Sequence, residues 1–138
     1  MSRYFGPNPT QFTWALGTTI EETFQIPEDY GDITGAVPRC HIRGTAATSP
    51  LLIALGPAEP PESGFVLDEG ARTLKLTISA KDSYDLTGGM NIPIQIAGDI
   101  EFRFGDGDTA IVWPFGEFKA TLQDRWTYFF DTDAPGGG

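Results

Sequence analysis

The chain is poor in the residues that most often carry chemistry: it has one Cys and one His in 138 residues. A single Cys excludes an internal disulfide framework and any metal site built from several thiolates. Basic residues are also scarce, nine Lys and Arg against nineteen Asp and Glu, for a net charge of −10. Non-specific nucleic-acid binding needs a basic face that displaces counterions, and this balance argues against it. Long apolar runs are missing as well. The longest, at residues 51–55, is far short of the roughly 20 residues of a spanning helix. The first residues show no apolar core of a signal peptide, and a free Cys40 fits synthesis in a reducing cytoplasm. The expectation is a soluble, acidic protein.

What is present points to strands. Ten Phe, four Tyr and three Trp within 40% hydrophobic residues supply a core and exclude global disorder. Seventeen Gly and eleven Pro disfavour a helical fold, because these are the two weakest helix formers. Short apolar runs recur between Gly, Pro, Asp and Asn breaks about every 8–12 residues, the spacing of β-sandwiches and barrels. Strands are predicted at 12–16, 18–26, 37–43, 51–55, 73–79, 92–96, 100–104, 109–113, 116–122 and 126–130. Residues 73–79 alternate strictly, with Leu74, Leu76 and Ile78 on one face. Residues 27–34, 44–50 and 57–64 read as loops, the last because it holds three prolines. Residues 81–86 suit one helical turn at a sheet corner, and 105–108 a hairpin turn, since Asp-Gly tolerates positive φ. The predicted organisation is an N-terminal arm at 1–10, one sandwich domain at 11–130, and a C-terminal tail at 131–138. The fold class is all-β: a single Ig-like or jelly-roll-like sandwich with one short helical turn and extended termini. Its predicted core is Phe24, Ile42, Leu52, Leu74, Leu76, Ile78, Ile100, Phe102, Val112 and Phe118.

Chemistry is hard to find. In a strand at 37–43, His41 faces away from Cys40 and Ile42, so Cys40 and His41 do not form a nucleophile–base pair. Cys40 reads as a small buried hydrophobe and His41 as a surface or structural residue. Asp99, Glu101, Asp106 and Asp108 invite calcium, but the ligand spacing of a calcium loop is absent and turn chemistry explains the aspartates. No phosphate-cradling signature occurs; Gly88-Gly89 has no following helix. No catalytic residue, cofactor or metal is expected.

A resemblance then enters on specific residues. Asp32-Ile33-Thr34-Gly35 leads into the strand ending Ile42-Arg43. Later come Gly70 through Ser83, Gly98-Asp99-Ile100-Glu101-Phe102, a Gly-Asp turn, Ala110 through Trp113, and Gly116. Over residues 16–122 this order resembles small β-sandwich structural proteins of tailed bacteriophage virions, similar to the N-terminal domain of phage baseplate upper proteins. The segment 91–97 and both termini depart from that pattern. The resemblance implies a virion structural protein of the tail, baseplate or head–tail region, made in the host cytoplasm and assembling subunit to subunit. Its implied partners are other virion structural proteins and copies of itself, with no direct nucleic acid and no membrane. A capsid cement or decoration protein is the nearest alternative.

From another class comes a carbohydrate-binding module, with Tyr4, Tyr30, Trp126 and Tyr128 as ring-stacking candidates. A small β-sandwich hydrolase is the third reading, without a constellation to support it. Predicted assembly contacts are Tyr4, Phe5, Trp126, Tyr128, Phe129 and Phe130, because residues 126–130 form the most aromatic window in the chain and exposed apolar surface marks interaction sites. At −10 copies repel at low salt, which predicts a soluble, largely monomeric protein when expressed alone that assembles only on a partner template. Stable homo-oligomers at low micromolar concentration and low salt would contradict it.

Overall fold

A computed structural model describes residues 10–45, 51–86 and 94–124. Among the described residues eight strands form two sheets. They are β1 (Thr10–Ala15), β2 (Ile20–Gln25), β3 (Val37–Gly44), β4 (Leu51–Leu55), β5 (Gly64–Asp68), β6 (Thr73–Ile78), β7 (Ile94–Phe104) and β8 (Ile111–Gln123). One sheet runs β1-β8-β7-β3-β4 and the other β2-β6-β5. The described residues hold one α-helix, α1 (Ala80–Asp85), directly after β6. No helix among the described residues is long and apolar enough to cross a membrane.

Alternation explains the layers. Along β3, Cys40 and Ile42 are buried while Arg39, His41 and Arg43 are exposed. In β6, Leu74, Leu76 and Ile78 have no exposed surface and face the other sheet. Two aromatic groups fill the space between the sheets. Phe118 lies 5.8 Å from Phe12, 5.6 Å from Trp14 and 6.1 Å from Phe24, centroid to centroid. At the other end, Tyr30 packs on Phe102 and Phe115 at 5.8 and 5.4 Å. The buried Trp14 indole donates to Glu22 Oε2 at 2.8 Å, tying the sheets together across β1 and β2. The corner is tied too. Ser79 caps α1 by accepting from the Asp82 N–H, and the buried Ser83 hydroxyl accepts from the Gly17 N–H and donates to the Thr18 carbonyl.

Several expectations need correction. Residues 94–104 are one strand, not two, because Ala97-Gly98-Asp99 continues the ladder against both β3 and β8. Residues 111–123 are likewise continuous. Gly116 pairs with Ile100 and Pro114 with Glu101, so Phe115 is the extra residue of a bulge. That bulge reverses the inside–outside alternation. Val112, expected in the core, is therefore 40% exposed opposite Arg103. Leu52 is only partly buried for a related reason, a register shift beside Ile42 and Arg43. β5 occupies residues for which no strand was expected, and residues 28–30 form a short 3₁₀ turn in the expected loop. The remaining predicted core residues are buried. The segment 105–110 does join β7 to β8, with positive φ at Gly105 and Gly107.

Leu76 has no exposed surface and sits mid-strand between β2 and β5. Leu76→Ala is expected to cost about 2–5 kcal/mol, and thermal melting of the variant measures it.

Candidate interaction surface

The outer face of the five-stranded sheet is built by the residues that alternate away from the core. From β3 it takes Arg39, His41 and Arg43; from β7 Ala97, Asp99, Glu101 and Arg103; from β8 Glu117 and Lys119. Arg39 stands opposite Glu101, His41 opposite Asp99, and Arg43 opposite Ala97. A shallow depression of about 470 Å³ lies over Ala97 and Gly98, bordered by His41, Arg43, Asp99 and Glu117. Four of the chain's nine Lys and Arg, namely Arg39, Arg43, Arg103 and Lys119, are on this face. With three acids among them the face is close to neutral, on a chain that carries −10 overall.

The charges run in stripes. The β3 row is basic, and the central β7 pair, Asp99 and Glu101, is acidic. Only Arg103 forms an ion pair on this face among the described residues, with Glu101 at 3.7 Å on its own strand. The other ion pairs there are Arg72–Glu28 and Lys75–Glu21, away from this face.

Beneath the face, Cys40 is 1% exposed, and burial pushes its thiol up to about 12. It is not a nucleophile at neutral pH, because the thiolate is the reactive form. The native thiol is expected to resist Ellman's reagent at pH 8, with one equivalent reacting after unfolding. Rapid native labelling would show that β3 opens readily. Below pH 9, the thiol's ordinary value, both folded and unfolded chains keep it protonated. Between there and about pH 12 only the unfolded chain ionises, so Cys40 makes stability fall as pH rises.

Other sequence candidates are dispersed. Asp106 and Asp108 lie in the loop at the tip of the β7–β8 hairpin, while Asp99 and Glu101 lie on the outer face. Among the described residues no three His, Cys, Asp or Glu side chains converge to hold a metal ion. Asp32 has its carboxyl held below the usual range, first by the Thr34 backbone N–H it accepts at 2.9 Å. That contact makes a local turn and no reactive pair. Tyr30 is 5% exposed and donates its hydroxyl to the Pro114 carbonyl at 2.9 Å, so it is not a sugar-stacking platform. Tyr4, Phe5, Trp126, Tyr128, Phe129 and Phe130 lie outside the described residues.

Sequence reasoning missed the apolar end of the β7–β8 hairpin. Ile111 is 55% exposed beside Val112, and Phe104 packs on Trp113 at 4.9 Å. The signal was Pro114, a residue that strands accept at edges or bulges.

The strand order defines the class. β8, β7, β3 and β4 stand as G, F, C and C′ of an immunoglobulin variable-type sandwich, and β2, β6 and β5 as B, E and D. β1 adds in parallel along β8. Of the two sandwich types expected, this is the immunoglobulin-like one, without its inter-sheet disulfide, since Cys40 is free. Compared with protein-family models the chain matches none, and no curated protein is significantly similar to it.

Proposed function

We propose that the chain is a structural subunit of a tailed-bacteriophage virion, placed in the tail, baseplate or head–tail region and acting through subunit–subunit contacts. The observation that carries this reading is the architecture of the sandwich borders. Among the described residues β1, β4 and β2 each have one side with no strand paired to it, whereas the outer side of β5 is bridged at Phe65 by residues 56–58. β1 runs parallel to β8, with Thr10 level with Phe118 midway along β8 and Ala15 level with Gln123 at its end. Open edges accept strands from neighbours. The resemblance of residues 32–35, 70–83 and 98–102 to the pattern of phage sandwich proteins supports the same role. In this reading the protein is no enzyme, takes no cofactor, and binds neither nucleic acid nor membrane directly. Its partners are other virion proteins and copies of itself, and it reaches the virion after synthesis in the host cytoplasm.

Two measurements test this. The protein should copurify with intact particles at fixed stoichiometry, and its absence from purified virions would sink the reading. Chains lacking residues 1–9, or separately 126–138, should melt as the full chain does yet enter particles less efficiently. Normal incorporation of both would remove the assembly contacts assigned to Tyr4, Phe5 and the 126–130 segment. A capsid decoration role would show instead as density on the major capsid surface in a particle reconstruction.

A further inference from the structure

We propose that the outer face of the five-stranded sheet is a self-complementary surface on which two copies of this chain pack face to face about a two-fold axis. β3 and β7 are neighbours, and Arg39 lies level with Glu101, His41 with Asp99, and Arg43 with Ala97. An axis parallel to the strands and midway between β3 and β7 carries β3 of one copy over β7 of the other at the same height. Arg39 then meets Glu101 of the partner subunit, and His41 meets Asp99 of the partner subunit, each contact occurring twice. Arg43 reaches over Ala97 of the partner subunit, where the depression of about 470 Å³ leaves room for a long side chain. A two-fold interface needs such self-complementarity, and sheets stacked face to face with nearly aligned strands are a standard packing.

The charge pattern of the face favours a second copy as occupant. Arg39 and Arg43 form no ion pair among the described residues, although acids outnumber bases by ten. A flat acidic partner would be repelled by Asp99 and Glu101; a flat basic one would be repelled by the β3 row. Only a striped surface satisfies both rows, and this chain carries one. The long-range repulsion between two acidic chains acts over tens of ångströms and is screened at about 0.15 M salt, where the Debye length is about 8 Å. Contacts between opposed side chains at a few ångströms persist there. The interface is small: β4 and β3 of each copy cover β8 and β7 of the other while β1 overhangs. Four strands about 4.8 Å apart by about seven residues place it below the standard size, among weak contacts. Association is therefore weak, absent at low salt and strongest near physiological salt. It deepens the assembly reading, on which its use in a particle rests.

The test is a charge exchange between copies. Sedimentation equilibrium of the whole chain at about 0.15 M salt should show a reversible dimer as concentration rises into the high micromolar range. Arg39→Glu alone and Glu101→Arg alone each place like charges face to face twice, and each should weaken dimerisation by about tenfold or more. An equimolar mixture of the two variants should restore it, because each acidic position now faces a basic one. If Glu101→Arg does not fold, His41→Asp mixed with Asp99→Lys makes the same exchange one contact further along. A wild-type chain that stays monomeric throughout, single variants that dimerise normally, or a mixture no better than its parts would each overturn the proposal. The particle measurements are independent of all three, so failure here leaves the virion reading standing or falling separately.

Discussion

Gly98→Ala is expected to destabilise the protein by about 3 kcal/mol, the upper part of the overpacking range, and to lower its melting temperature by about 10 °C. Gly98 is a buried position on β7 and pairs with Phe118 on β8. A methyl group there would meet the Phe118 ring at 2.2, 2.4 and 2.9 Å. The ring has nowhere to go, since Phe12, Trp14 and Phe24 surround it and it has no exposed surface. Glycine is needed for this close approach of ring to backbone, not for an unusual φ. Adding Phe118→Leu should recover part of the loss, because the two changes share one volume and do not add. Additive losses in the double variant would show that the clash is not with Phe118.

Arg72→Ala should cost a similar amount, about 3 kcal/mol, through lost hydrogen bonds to a charged donor. The Arg72 side chain is 15% exposed. Its Nη2 donates to the Pro27 and Gly31 carbonyls at 2.6 and 2.9 Å, and Nε to the Ile26 carbonyl at 3.3 Å. These bonds hold the 26–36 loop, whose Ile26, Tyr30, Ile33 and Ala36 close the core. Glu28, 3.9 Å away, is 92% exposed and adds little. Arg72 also adopts φ +54°, a conformation that costs a side-chain-bearing residue about 1–2 kcal/mol. Arg72→Gly should therefore be less damaging than Arg72→Ala by about 1 kcal/mol, the reverse of the usual order in regular structure. Urea melts of both variants read the difference; Ala equal to or better than Gly would refute the account. A Lys ammonium carries its donors on one nitrogen and lacks the planar fork that reaches the Ile26 carbonyl from Nε and the Pro27 and Gly31 carbonyls from Nη2, so Arg72→Lys should also lose stability.

The stripes of the outer face show how much of the candidate surface was legible. Alternation alone put Arg39, His41 and Arg43 on one side of β3 and Cys40 and Ile42 on the other, and the structure has them so. That β7 lies beside β3, with Glu101 level with Arg39, is a pairing between residues 62 apart in the chain. No local pattern encodes it.

The sequence by itself determined the all-β class, the strictly alternating β6, the helical turn after it, the hairpin joining β7 to β8, and the burial of Cys40. Each depends on neighbours within a few residues: side-chain period, turn chemistry, or the low helix propensity of Gly and Pro. Tertiary structure alone decided where alternation changes phase, at the Phe115 bulge that turned Val112 outward. It also drew Tyr30 into the core, because its hydroxyl found the Pro114 carbonyl, and it carried β7 unbroken through Gly98, because the Phe118 ring fills the space that glycine leaves. The physical reason is common to all three. A strand's own period is written in its sequence, whereas the partner that buries a phenol or occupies the space above a glycine arrives from a distant segment.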